Sequence, residues 1–202
     1  MRRGKSGRLL HTRRLVSVRR PMHLTMKLKA DLPSLRRAGP RAVFRALLAE
    51  ARSRGVRTVS FQLMGNHIHW LVMPESAASL RDATRYVFGQ LARRLNKMWG
   101  RRGKVFVERY FSTIGTSARQ IWNTLNYIAR NPYAAGIDGP GQGFDKYFGL
   151  DAALLTTERF LRAIFGADAS TTVQLVERMS RHRLSYVPLV ERLQPSIPGL
   201  GP

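Results

Sequence analysis

The chain contains no cysteine, which excludes disulfides, thiolate metal sites and cysteine nucleophiles. Any metal must therefore be held by His, Asn, Gln or carboxylates. Acid is also scarce: 12 Asp and Glu stand against 35 Lys and Arg, for a net charge of +23. No apolar run approaches the roughly 18 residues of a membrane span. The longest candidates, Val43–Leu48 and Ile68–Met73, fall far short of that. No Gly-rich phosphate loop is visible either. What remains, 202 residues that are 44% hydrophobic, is enough to bury the core of one domain with an appendage. The expectation is a soluble protein with no membrane partner, cytoplasmic and associated with the nucleoid.

The charge is unevenly placed. Residues 1–130 hold 28 Lys and Arg against 5 acids, whereas residues 131–202 hold 7 against 7. A basic field of this strength needs a polyanion, and nucleic acid is the usual one because each bound phosphate releases condensed counterions. Met1–Arg20 carries eight Lys and Arg and no acid, which reads as a disordered basic arm. Leu9-Leu10 and Leu15-Val16 are too sparse for a signal or transit peptide.

Loose alternation over Met22–Lys29 predicts a first strand, with Met22, Leu24, Met26 and Leu28 on one face. After a loop over Pro33–Pro40, the spacing of Val43, Phe44, Leu47, Leu48 and Ala51 predicts a helix that Gly55 stops. Val56–Leu63 and His67–Met73 read as a hairpin around the turn Met64-Gly65-Asn66. Ser79–Trp99 repeats Leu80, Ala83, Val87, Leu91 and Leu95 as an amphipathic helix with a basic outer face, Val105–Ile114 as a fourth strand, and Ser117–Arg130 as a helix ended by Asn131-Pro132.

The order strand-helix-strand-strand-helix-strand is that of an α+β ferredoxin-like, RRM-like four-stranded antiparallel sheet, with helices on one face and the other left for a ligand. It divides the chain into an arm (1–20), a central domain (21–137) and a helical C-terminal extension (138–202). A glycine-rich connector over Gly136–Gly149 leads into the extension, where helices are expected at Thr156–Phe165 and Thr171–Arg181.

His67-Ile68-His69 is the sharpest local feature. On a strand, residues i and i+2 share a face, so the two imidazoles project together, roughly 7 Å apart along the pleat, and can grip one divalent cation. Tyr127 and Asn131 are i and i+4 on one helical face. A phenol can attack a phosphodiester when a cation stabilises charge on the phosphoryl oxygens, and the Asn131 amide oxygen offers a third ligand. Other residues read more plainly. His23, opposite Met22 and Leu24 on the first strand, has no evident ligand set and reads as a surface or packing histidine. His11 and His182 sit in basic surroundings, Glu108 suits an ion pair with a neighbouring Arg, and Trp70, Trp99 and Trp122 suit packing.

Three separated blocks resemble the signatures of single-tyrosine HUH transposases. They are Met64-Gly65-Asn66-His67-Ile68-His69-Trp70-Leu71-Val72, Phe106-Val107-Glu108-Arg109-Tyr110-Phe111 and Tyr127-Ile128-Ala129-Arg130-Asn131-Pro132-Tyr133-Ala134-Ala135-Gly136-Ile137. The likeness is nearest to the REP-associated tyrosine transposases and covers residues 20–137. It implies an insertion-sequence-type catalytic domain in which His67, His69 and Asn131 bind Mg²⁺ or Mn²⁺. By the same likeness Tyr127 forms a 5′-phosphotyrosine link to single-stranded or hairpin DNA, and the chain works as a monomer or homodimer. Arg85, Arg93, Arg94, Lys97, Arg101, Arg102, Lys104, Arg109 and Arg130 are the DNA-binding candidates. Two departures stand out: Gly65 replaces a common proline, and Tyr133-Ala134 replaces the usual Val-Arg. The alternative is a non-catalytic or domesticated nucleic-acid-binding module. Such a module exposes paired aromatics on its middle strands, where this chain carries His67 and His69.

Overall fold

A computed structural model describes residues 16–18, 20–134 and 148–150. The elements in chain order are β1 (Met22–Lys27), α1 (Ala38–Ser53), β2 (Val56–Leu63), β3 (His67–Pro74), α2 (Ala77–Met98), β4 (Phe111–Ile114), α3 (Ala118–Ala134) and β5 (Phe148–Leu150). The sheet runs β4-β1-β3-β2-β5 and every pairing is antiparallel. Its first four strands form the expected ferredoxin-like sheet. The short β5, which overlaps the end of the expected glycine-rich connector Gly136–Gly149, extends the β2 edge.

One face is the main core. Met22, Leu24 and Met26 of β1 and Ile68, Trp70 and Val72 of β3 are buried there with Phe44 and Leu47 of α1 and Val87, Phe88 and Leu91 of α2. Trp70 sits at its centre, edge-on to Phe44 at 6.0 Å and to Phe88 at 5.9 Å, and its indole N–H donates to Thr58 Oγ1 at 3.0 Å. Each such side chain contributes about 1.5–3 kcal/mol through burial. β2 reaches this face by a bulge between Thr58 and Ser60. The extra residue switches the alternation, so Phe61 and Leu63 turn into the core where an unbroken strand would have presented Ser60 and Gln62.

Element limits differ from the sequence reading for local reasons. Pro40 lies inside the first turn of α1, where its missing N–H has no intrahelical partner to lose. Gly55 ends the turn after α1 at φ +74°, and a side chain there would collide with Glu75 and Ser79. α2 starts before Ser79 because Ser76 Oγ accepts the Ser79 N–H at 2.9 Å as an N-cap. The fourth strand is regular only from Phe111. Phe106 makes a single bridge to Leu28, Val107 N–H still donates to the Lys27 carbonyl at 3.0 Å, and residues 108–110 leave the sheet before pairing resumes.

α3 continues through Pro132 to Ala134, so the Asn131-Pro132 step does not end the helix. Proline forfeits one i→i−4 bond and crowds the carbonyl four residues back, and only two residues of helix follow it. The helix buries Ile121, Leu125 and Ile128 and meets β2. The second face of the sheet is therefore partly roofed, where the sequence reading left it free. The arm is also held at its inner end, where Val16 packs against the core and the Arg20 guanidinium donates to the Thr116 carbonyl. The rest of the arm (1–15), His11, His182 and the helices expected at Thr156–Phe165 and Thr171–Arg181 lie outside the described residues. No helix of the described residues is long and apolar enough to cross a membrane.

Candidate active site

On β3, His67 and His69 alternate with Ile68 and Trp70, so burial of the latter pair turns both imidazoles toward α3. The rings lean together more than the pleat alone requires. Their centroids are 4.6 Å apart, and the two Nε2 atoms approach to 2.9 Å. α3 supplies the rest. The Asn131 side-chain amide is 2.7 Å from His69 Nε2, and the Tyr127 ring centroid is 5.3 Å from that of His69. Because Asn131 stays within the helix, it lies one turn from Tyr127 on the same face. A single chain thus gathers the histidine pair, the phenol and the amide, groups about sixty residues apart in sequence. Tyr127 is 55% exposed.

The sequence reading missed His23. Its Nε2 is 3.0 Å from His69 Nδ1, and its ring is 6.3 Å from that of Tyr127. The residue packs within this cluster, a neighbour that its reading as a surface or packing histidine did not supply. β1 is a central strand beside β3, and the register Thr25↔His69 sets His23 diagonally across from His69. That register is a nonlocal property; the only local sign was a histidine on the polar side of a strand.

Burial holds the histidines neutral. It lowers His69 to about 3, helped by the neighbouring His67 and His23. Burial alone lowers His23 to about 4. His67 is also lowered, by burial and by the Lys27 charge. Neutral imidazoles keep a lone pair on one nitrogen, as a ligand must. His67 Nδ1 lies 2.8 Å from Asn66 Oδ1, an atom that only accepts, so His67 carries its proton on Nδ1 and presents Nε2 as a lone pair.

This donor set suits a cation. Two ligand atoms at right angles on bonds of about 2.1 Å stand roughly 3 Å apart, close to the separations of 2.9 Å and 2.7 Å around His69 Nε2. A half-turn of the Asn131 amide brings its oxygen into the position its nitrogen holds. Among the described residues, no group of three or more His, Cys, Asp or Glu side chains is arranged to hold a metal. A cation here would rest on His67, His69 and Asn131.

The other candidates lie elsewhere. α2 packs on the core face of the sheet, so Arg85, Arg93, Arg94 and Lys97, all exposed, stand across the sheet from the histidines. Arg85 lines a groove of about 1190 Å³ between α2 and residues 103–110, together with Arg81, Lys104 and Arg109 and above Phe88 and Tyr110. Arg102 is exposed, whereas Arg101 donates to Asn96 Oδ1 at 2.6 Å and braces the turn after α2. Arg130 lies on α3, near the site along the chain. Glu108 lines the same groove, exposed, away from the histidines. Trp70 and Trp99 pack as expected. Phe111, 68% exposed on β4, is paired with Thr25 and so shares the histidine face.

The architecture is a ferredoxin-like sheet with an additional helix laid over its His-x-His strand. No family model and no curated protein matches the chain. Among solved structures it is similar to a REP-associated tyrosine transposase bound to a REP hairpin, at TM-score 0.52 and 14% identity over 64% of this chain and 76% of that one. It also aligns with a candidate transposase of Deinococcus radiodurans R1, at TM-score 0.42 and 17% identity over 65% of this chain and 99% of that one.

Proposed function

We propose that the chain is a transposase-type enzyme that cuts and rejoins single-stranded DNA through a covalent tyrosyl intermediate. The observation that carries this reading is the meeting of Tyr127 and Asn131 of α3 with His67 and His69 of β3, on one face of the sheet and within one chain. His67, His69 and Asn131 would hold Mg²⁺ or Mn²⁺, which supplies charge stabilisation at the phosphoryl oxygens. Two imidazoles make the donor set softer than an all-oxygen site, which favours Mn²⁺ as the probe.

Tyr127 Oη forms a bond to phosphorus as the bond from phosphorus to the 3′ oxygen breaks. The phenolic proton is lost to solvent, and the departing 3′ oxygen takes one up. The product is a 5′-phosphotyrosine link and a free 3′-hydroxyl, and the reverse attack rejoins the strand. No nucleotide cofactor is required because the ester keeps the bond energy. Exposure of Tyr127 suits a polymeric substrate, and Phe111 offers a ring on which a flanking base can stack. The structural neighbour's REP hairpin makes a DNA hairpin the natural first substrate.

The test is a labelled single-stranded hairpin oligonucleotide with Mn²⁺, run on a denaturing gel. A protein-DNA adduct should form, disappear in Tyr127→Phe and fail in His67→Ala with DNA binding retained. Tight, metal-independent binding without any adduct would leave the chain a nucleic-acid-binding module. Against that second reading, the outward positions of β1 and β3 are His23, Thr25, Lys27, His67, His69 and Leu71, none of them an aromatic platform of the RNA-recognition kind.

A further inference from the structure

Both ring nitrogens of His69 are engaged, and one of them meets a third histidine. Nε2 faces His67 and the Asn131 amide, at 2.9 and 2.7 Å. Nδ1 faces His23 Nε2 at 3.0 Å, with Thr25 Oγ1 a more distant neighbour at 3.5 Å. His23 does not point at the space shared by His67, His69 and Asn131; it approaches His69 from behind. The surroundings are dry, for His69 is 3% exposed, so a wrongly placed proton there would leave a polar atom without a partner.

We propose that His23 is a positioning residue for His69. His69 Nδ1–H donates to His23 Nε2, which holds His69 in the tautomer whose Nε2 lone pair faces Asn131 and Tyr127. His23 then carries its own proton on Nδ1. Asn66 does the same for His67 through the 2.8 Å contact at Nδ1, so each histidine of the pair is oriented by an acceptor behind it. A ligating imidazole needs such an outer partner to set its ring angle and its free nitrogen, and loss of one typically weakens metal binding 10–100-fold. Here a third histidine takes the place usually filled by a carboxylate or a backbone carbonyl. Acid-poor as the chain is, this uses a neutral group that adds no negative charge where a DNA phosphate would have to approach. The assignment rests on the proposed metal role of His67, His69 and Asn131.

The experiment measures the ring ¹⁵N shifts of His69 by long-range ¹H–¹⁵N NMR on metal-free, DNA-free full-length protein, and Mn²⁺ affinity by calorimetry. Wild type should show the Nδ1–H tautomer at His69. His23→Leu, which removes the acceptor, should shift His69 toward a mixture of tautomers and weaken Mn²⁺ binding about 10–100-fold. His23→Gln, whose Oε1 can stand where Nε2 stood, should restore both within a few-fold. An Nε2–H tautomer in wild type overturns the proposal. So does unchanged Mn²⁺ affinity in His23→Leu, or a loss equal in Leu and Gln variants with the His69 tautomer unmoved, which would make His23 a ligand itself. Should His23→Leu fail to fold, the wild-type tautomer and the Gln variant still decide. The tautomer is read without DNA, so a wild type that forms no tyrosyl adduct would defeat the proposed function and leave this result standing.

Discussion

Along β3, Ile68, Trp70 and Val72 turn toward α1 and α2, whereas His67 and His69, one residue out of phase, turn toward α3. The first set is interchangeable in principle with other side chains of similar volume, since its task is to fill space. The second set is not: both imidazoles are held below their usual pKa by burial, and each has its Nδ1 opposite a specific partner. One strand therefore separates the two demands by alternation alone. The apolar face supplies rigidity, and the polar face inherits it as fixed positions for atoms that must meet within about 3 Å.

The difference between the faces can be tested at its most extreme by asking whether the polar face works within one molecule. Tyr127 lies beside His69 of the same chain. An equimolar mixture of Tyr127→Phe and His67→Ala proteins should therefore yield no adduct, because neither has both halves. Recovery toward a quarter or more of wild-type yield would mean that the tyrosine is donated to a second copy, with the helix repositioned.

The apolar face predicts the next effect. Trp70→Ala should cost about 3–5 kcal/mol in urea denaturation, a large share of the roughly 5–15 kcal/mol that holds a domain together. It should also remove adduct formation through loss of structure. Tyr127→Phe, at a half-exposed position, should change stability by no more than about 0.5 kcal/mol while abolishing the adduct. If both variants were equally unstable, the division of labour between the faces would be wrong.

A smaller effect separates the faces by pH. His23 and His69 take up protons near 6.5 when unfolded but only near about 4 and about 3 when folded. Between those limits the unfolded chain binds more protons, so stability is full above about pH 6.5 and falls as the pH drops. Measured between pH 7 and 5, above the range of ordinary carboxylates, Tm should decline, and His23→Gln should decline less steeply. An identical slope in the variant would show that burial of His23 plays no part.

How much of this was legible depended on whether the information was local. β2 runs over the residues its β-branched and aromatic composition indicated, because Gly55 and the Met64-Gly65-Asn66 turn bound it on both sides. The His-x-His pair and the Tyr127/Asn131 pair could be read from strand and helix periods. Their meeting depends on how α3 crosses the sheet, which only the resemblance to a known family implied. His23 was misread because its partner lies 46 residues away and the β1–β3 register is not written in either strand. Pro132 misled in the other direction: its local rule is sound within a helix interior, and two more residues of helix lie beyond it here. The break at residues 108–110 was hidden because Phe106 and Phe111 both look like strand residues, one bridging to Leu28 just past β1 and the other pairing with Thr25 within it.

The smallest predicted effect lies farthest from the histidines. Arg93 and Arg94 are exposed on α2, behind the sheet relative to Tyr127, so any contact they make with DNA is to phosphates away from the cleaved bond. Replacing both with Ala should weaken hairpin binding only several-fold at moderate salt. It should also reduce the slope of log affinity against log salt by up to about 0.9 per lost duplex contact or about 0.7 per lost single-strand contact. The rate of adduct formation at saturating DNA should stay within about twofold of wild type, since the two guanidinium groups touch neither the phenol nor its neighbours. A rate that fell together with affinity would mean that DNA held on α2 is coupled to alignment at Tyr127, and that the two sides of the sheet act as one site.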